Sequence, residues 1–349
     1  MRRSRRFTLA AACLAALVPS GSVGQVAANN TLTAVGGVAV GHYTLSQRPT
    51  GCTVVLVEPA AVAGVDVRGS APGTRETDLL NPLNTVERVN AIVLSGGSAF
   101  GLDAASGVVH WLEERGRGFD VGIARVPIVP AAILFDLGVG DARIRPDADC
   151  GYRAASAAST APVVEGSVGA GAGATIGKAF GLSRAMKSGI GSAAIRMPDG
   201  LVVAALVAVN AFGDVVDPAT GQIVAGVRTE DGKGLADVRA LIRDGRLAVS
   251  RPGAHTTLAV VATNAVLTKV QAAKVAQMAH DGFSRAIAPV HTPVDGDTAF
   301  AIATGSLGRS ADLLLVGSLA ADVTAQAIVR AVQQAAGLPN LPAARDLRR

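Results

Sequence analysis

Apolar and polar positions fall into two periods along this chain. Short β-branched runs at residues 37–40 and 53–57, broken by Gly and Pro, predict strands joined by turns. Residues 91–94 are apolar without interruption and predict a buried strand. That strand enters Ser95-Gly96-Gly97-Ser98, after which Leu102, Ala105, Val109 and Leu112 recur at helical spacing. A second buried strand is predicted over 201–209, ending at Asn210, and Asp217-Pro218-Ala219-Thr220-Gly221 reads as a turn before 222–225. Residues 227–251 then carry ten charged side chains around one short helical pattern at 235–242, a segment that can loosen if the chain is cut at its end. It halts at Pro252-Gly253, and the run from Thr256 to Thr263 predicts a loop feeding a fully buried strand. Thr268 and Gln271 have capping-box spacing and predict a helix through Met278 and His280, followed by a turn over 293–298. At the C-terminal end, 313–316 reads as a strand, 322–336 as a helix stopped at Gly337, and 338–349 as a mobile polar tail.

The start of the chain changes the charge argument. Arg2, Arg3, Arg5 and Arg6 precede the apolar stretch from Phe7 to Val18 and a zone of small residues, the pattern of a signal peptide over 1–24. Residues 4–9 partly match a twin-arginine export signal, so an exported protein, periplasmic or secreted, is expected. Those four arginines account for most of the formal net charge of +5, which leaves the rest of the chain nearly neutral. A nucleic-acid partner therefore has no compositional support, and aromatics at 3% offer little for base stacking. No membrane role beyond export is expected. Residues 25–337 hold enough apolar material, at 49% of the sequence, for one large multilayer domain. Cys13 leaves with the signal; the spacing of Cys52 and Cys150 leaves their pairing open.

Candidate chemistry is sparse. The five histidines form no H-x-x-x-H or H-E-x-x-H spacing and no cysteine pair forms C-x-x-C, so no metal is expected. Gly96 to Gly101 misses the G-x-S-x-G elbow by one position, and Ser98 reads first as a helix cap, with a nucleophile there as the weaker alternative. The Gly-dense stretch 166–178 falls one residue short of a P-loop, and Ala179 replaces the required Ser or Thr. It reads instead as backbone packed closely against a neighbour, with Lys178 either reaching solvent or belonging to a site. Thr256 suits the start of a strand on propensity alone. Were the preceding peptide cut, however, it would carry a hydroxyl and its own α-amine, a complete nucleophile and base. Asp295 and Asp297, flanking Gly296, are carboxylates able to orient that amine and shuttle a proton; the plain alternative is a solvated turn.

Five motifs, in order, carry a resemblance: NAIVLSGGSAFGLD (90–103), GAGAGAT (169–175), AVNA (208–211), TTL (256–258) and DGD (295–297). Together they resemble the self-processing L-aminopeptidase/D-esterase (DmpA-like) peptidases, a family that includes endo-acting nylon-oligomer hydrolases. The resemblance runs from about Thr31 to Gly337. It implies an α/β fold, an αββα four-layer sandwich of N-terminal-nucleophile type, made as one chain and cut into two fragments that stay together. It further implies cleavage of His255–Thr256, with Thr256 as nucleophile, Asp295 and Asp297 supporting its amine and hydroxyl, and Lys178 and Asn210 lining the pocket, Asn210 as oxyanion donor. No cofactor is implied. The expected substrate is a small peptide or amide, and the expected assembly a homo-oligomer, often a tetramer. His255 stands where the family commonly has Asn, and Phe135 where it has Tyr. Ile133 falls where the aminopeptidases place a Glu that holds the substrate's amine, which favours amides other than simple N-terminal peptides. The expected activity is hydrolysis of amide bonds through a Thr acyl-enzyme. The alternatives are acyl transfer on the same scaffold or an unprocessed binding protein.

Overall fold

The computed structural model describes residues 28–247 and 255–347; the expected signal peptide over 1–24 and Pro252-Gly253 lie outside them. Eight strands and four helices build the frame. The strands are β1 (Val38–Thr44), β2 (Gly51–Val67), β3 (Arg88–Ser95), β4 (Ala131–Ile133), β5 (Ile190–Arg196), β6 (Val202–Asn210), β7 (Thr256–Thr263) and β8 (Thr298–Ala303). The helices are α1 (Ala104–Glu113), α2 (Ala148–Ser156), α3 (Lys269–Ala286) and α4 (Leu313–Gln334). Among the described residues one hydrogen-bonded path runs β5-β6-β7-β8-β2-β3-β4 and ends on the short strand Thr74–Arg75, with β1 also on β2. β2 belongs to two sheets. Its first half pairs with β1 and β3; beyond an irregularity between Leu56 and Ala61, only Ala61 and Val62 stay on β3, and Val62 to Val67 pair with β8.

Side-chain parity turns this path into four layers. Cys52, Val54 and Leu56 of β2, with Ala91 and Val93 of β3, pack under α1 and α2. Their neighbours Val55, Val57, Ile92 and Leu94 point the other way, into a core shared with Leu206, Leu258, Val260 and Phe300 of the second sheet. The far face of that sheet, through Val207, Val261 and Ala301, meets Val275 and Phe283 of α3 and Val323 and Ile328 of α4. Both sheets are thus covered on both faces, which is why their strands read as unbroken apolar runs. This is the αββα sandwich.

Several elements match the expectation closely. α3 opens with the capping box of Thr268 and Gln271. The Gly-dense stretch packs as backbone against backbone: a Cβ on Gly173 would lie 2.5 Å from the carbonyl oxygen of Pro49. A disulfide joins Cys52 of β2 to Cys150 of α2.

Three expectations need correction. Residues 313–316 are not a strand but the first turn of α4, whose cap is the Asp312 side chain accepting from Leu314 N at 2.8 Å. A short apolar run does not distinguish strand from helix, and here the next eighteen residues decide. Burying Val316, Val323, Ile328 and Val332 on one face contributes about 1.5–3 kcal/mol each, which outweighs the few tenths by which β-branched residues disfavour a helix. With a mean hydropathy of 1.5, α4 is long and apolar enough to cross a membrane by composition, yet its inner face lies in the core. The tail is also packed. Ala343 and Ala344 are buried, Lys187 N donates to Pro342 O at 2.9 Å, and Ala344–Leu347 forms a short helix. Third, Ser98 opens a 3-10 turn (Ser98–Asp103) without capping it through its side chain.

Candidate active site

Two strand beginnings and one strand end meet at the same edge of the second sheet. β7 and β8 are parallel, joined by the α3 crossover, so both start on one edge. β6 runs antiparallel to β7, and its last residue, Asn210, pairs with Thr256. The turn before β8 therefore lies beside Thr256: His255 and Asp295 form a parallel bridge, and Gly296 N donates to the His255 carbonyl oxygen at 2.9 Å. The Thr256 hydroxyl donates to that same carbonyl oxygen at 2.5 Å. Only glycine fits between the two acids, because a Cβ at 296 would stand 2.8 Å from Thr256 Oγ1 and 2.5 Å from Ala71 O. The loop after β2 lies over the turn, with Ala71 N donating to Asp295 O at 2.9 Å and Arg68 N to Asp297 O at 3.0 Å.

The two acids are both buried, at 1% exposure, and differ in their partners. Asp297 Oδ1 accepts from Thr257 N at 2.7 Å, and its Oδ2 accepts from His291 N at 3.1 Å and His291 Nδ1 at 2.9 Å. Asp295 accepts from Thr292 N at 3.0 Å, from the Thr292 hydroxyl, and from Phe212 N at 3.4 Å. Burial, followed by the Asp297 charge, pushes the Asp295 carboxyl up to about 6. The two carboxylates, one residue apart, thus sit in different hydrogen-bond surroundings, and Asp295 is poised to exchange a proton near that value.

Asn210 and Lys178 form the opposite wall. Lys178 Nζ donates to Asn210 Oδ1 at 2.8 Å and to Asn210 O at 3.1 Å, and Thr175 N donates to Oδ1 at 3.0 Å. Asn210 Nδ2 donates to Phe135 O at 2.9 Å. Burial lowers Lys178 to about 7, against the opposing pull of Asp295 and then Asp136. His255 is lowered to about 2 by burial and by the Lys178 charge, so its ring is neutral; it packs edge-on against Phe212 at 5.4 Å. Ile133, at the end of β4, is buried, and its N–H donates to Gly73 O at 3.0 Å.

The chemistry available follows from this layout. A hydroxyl and a backbone N–H converge on one peptide carbonyl, with two buried acids on one side and a lysine able to lose its proton near neutrality on the other. The model for peptidase family S58 matches residues 30–342. This chain belongs to that family.

Relatives of the S58 chain agree. It is 41% identical to an uncharacterized aminopeptidase of Mycobacterium tuberculosis over 346 residues, which is 91% of this chain and 98% of the relative. It is 30% identical to the 6-aminohexanoate-oligomer endohydrolase of Kocuria sp. over 311 residues, 85% of this chain and 84% of the relative. Among solved structures, the fold is similar to the L-aminopeptidase D-ala-esterase/amidase of Ochrobactrum anthropi (TM-score 0.65, 21% identity, 92% of each chain), described as a variant of the Ntn hydrolase fold. It is likewise similar to a β-aminopeptidase of Burkholderia sp. (TM-score 0.64, 24% identity, 88% of this chain and 87% of the other). The S58 chain is a hydrolase of peptide or amide bonds on an Ntn-type fold.

Within this S58 site the structure gathers Thr256, His255, Asp295, Asp297, Asn210 and Lys178. Phe135 enters through its carbonyl oxygen, not its ring. Four further groups escaped sequence reasoning: Gly296 N–H, Thr257 N–H, Thr175 and His291. Gly296 had a signal in the D-G-D spacing, which marks a turn whose centre cannot carry a side chain.

Proposed function

We propose that this chain is a self-processing amidohydrolase in which Thr256 is both the bond-breaking hydroxyl of maturation and the nucleophile of the mature enzyme. One observation carries the reading: Thr256 Oγ1 and Gly296 N both lie on the carbonyl oxygen of His255, the bond to be cut. In the first act the hydroxyl oxygen attacks the His255 carbonyl carbon, and the oxygen's growing negative charge is met by Gly296 N–H. Collapse breaks the His255–Thr256 C–N bond as the departing nitrogen takes up the proton that the hydroxyl gave up, leaving an ester on Oγ1 and a free amine; water then hydrolyses the ester. Positioning does most of this, since attacker and target are adjacent in the chain. In the second act the freed amine takes the hydroxyl proton while Oγ1 attacks an external amide, giving an acyl-enzyme that water resolves. Asp297, on Thr257 N, and Asp295 support the amine and the proton transfers; Lys178 and Asn210 form the facing wall.

Burial supports the order of the two acts. Thr256 is 1% exposed and its hydroxyl is occupied by its own upstream carbonyl, so an external amide is excluded until the chain is cut.

The substrate reading is a neutral amide segment, either an oligoamide or a peptide interior. Ile133 is buried and apolar at the end of β4, whose following carbonyl at Phe135 is tied to Asn210. A substrate ammonium brought against Ile133 would lose its water and gain no partner. Matched amides with a free and an acetylated amine test this. The acetylated form should have the higher kcat/KM, and a clear preference for the free amine would overturn the substrate reading. Export directed by residues 1–24 and a homo-oligomeric, tetrameric assembly complete the proposal. Mature protein from cytoplasm with Met1 intact, or a monomer by light scattering, would remove the respective part.

A further inference from the structure

His291 belongs to no motif, yet it supplies two of the three donors on Asp297: its backbone N–H and its ring Nδ1 both reach Oδ2, at 3.1 and 2.9 Å. It does so in a left-handed conformation with φ at 55°, a region uncommon for residues other than glycine, in which Asn, Asp and His are enriched, and one that collects at functional sites. The ring is held on two sides. It stacks on Phe283 at 5.7 Å and meets His280 edge-on at 4.7 Å, and His280 is itself fixed by Nε2 donating to Asp66 O at 3.1 Å. His291 Nε2 is buried with no hydrogen-bond partner. A proton there would be an unsatisfied buried donor, so the fitting tautomer carries its proton on Nδ1, aimed at Asp297.

We propose that His291 is a positioning residue: its Nδ1–H locks the Asp297 side chain so that Oδ1 stays on Thr257 N and the carboxylate stays beside Thr256. This rests on Thr256 being the nucleophile. Without the ring donor, Asp297 keeps the His291 backbone N–H but loses its second tether, and a carboxylate held by one donor on that oxygen can rotate away from the Thr256 amine.

Two variants separate the hydrogen bond from packing. His291→Phe keeps a ring against Phe283 and His280 and removes the donor. His291→Asn removes the ring, keeps an N–H at the Nδ1 position and tolerates the left-handed backbone. The measurements are the rate of chain cleavage and, for the matured enzyme, kcat and KM separately. The proposal expects about a tenfold loss of kcat in His291→Phe with KM unchanged, and kcat within about twofold of the parent in His291→Asn. If His291→Phe fails to mature, its cleavage rate, slower than that of His291→Asn, carries the same comparison. Parent-like activity in His291→Phe, equal losses in both variants, or a greater loss in His291→Asn would overturn it. Thr256→Ala run alongside keeps the two questions apart: if it is uncut and inactive while His291→Phe is normal, only the positioning role fails.

Discussion

Two strand ends in this molecule present a hydroxyl beside glycines, and only one has the surroundings for chemistry. Ser98 follows β3 in a left-handed conformation with φ at 55°, the kind of strained corner that often marks a nucleophile. Asp136 is the carboxylate bonded to this corner: it holds Arg48 at 2.5 Å, the Thr50 hydroxyl at 2.6 Å and Gly97 N at 2.9 Å. That acid ties the corner to the loop between β1 and β2 through a buried ion pair with Arg48. Thr256 sits in unremarkable strand geometry, but its hydroxyl and Gly296 N–H converge on one carbonyl, with Asp295 raised to about 6 alongside. Convergence of donors on a bond to be broken, more than local strain, distinguishes a reactive hydroxyl from a structural one.

Four substitutions probe that contrast, in descending order of effect. Thr256→Ala should leave the chain uncut and lower amide hydrolysis by about a thousandfold or more, read on a denaturing gel and by product assay. Gly296→Ala pushes a methyl to 2.8 Å from Thr256 Oγ1 and displaces the N–H on the scissile carbonyl, so chain cleavage should slow by about a hundredfold in a time course. Asp295→Asn bears on the pH profile. With its carboxyl raised to about 6, Asp295 is protonated below that value and accepts a proton only above it, so the parent cleavage rate should climb as pH rises through about 6. The Asn variant should lack that limb and run about tenfold slower at pH 8. Ser98→Ala should change activity by less than about twofold, and a large loss with normal maturation would move the nucleophile to the other corner.

Much of the frame was legible because burial on both sheet faces forces continuous apolar strands, as at 201–209 and 256–263, and because the Thr268–Gln271 box announces α3. Thr256, Asp295 and Asp297 were legible as residue types with a chemical use, and the sheet register brings them together. Apart from the His291 ring, what the sequence hides has a common cause. Gly296 N–H, Thr257 N–H and the Phe135 carbonyl are main-chain groups that carry no letter, and their aim depends on a fold that only long-range pairing sets. The start of α4 reads as a strand because four apolar residues fit either period, and the tail reads as mobile because Ala343 and Ala344 are too small to advertise a buried position.

The central claim is that the chain breaks ahead of residue 256 and that the new terminus does the chemistry. Sequencing the N-terminus of the smaller fragment of purified, active protein tests it most directly. The account predicts a fragment beginning Thr256-Thr257-Leu258; active protein that is intact across this bond, or cut elsewhere, would contradict it.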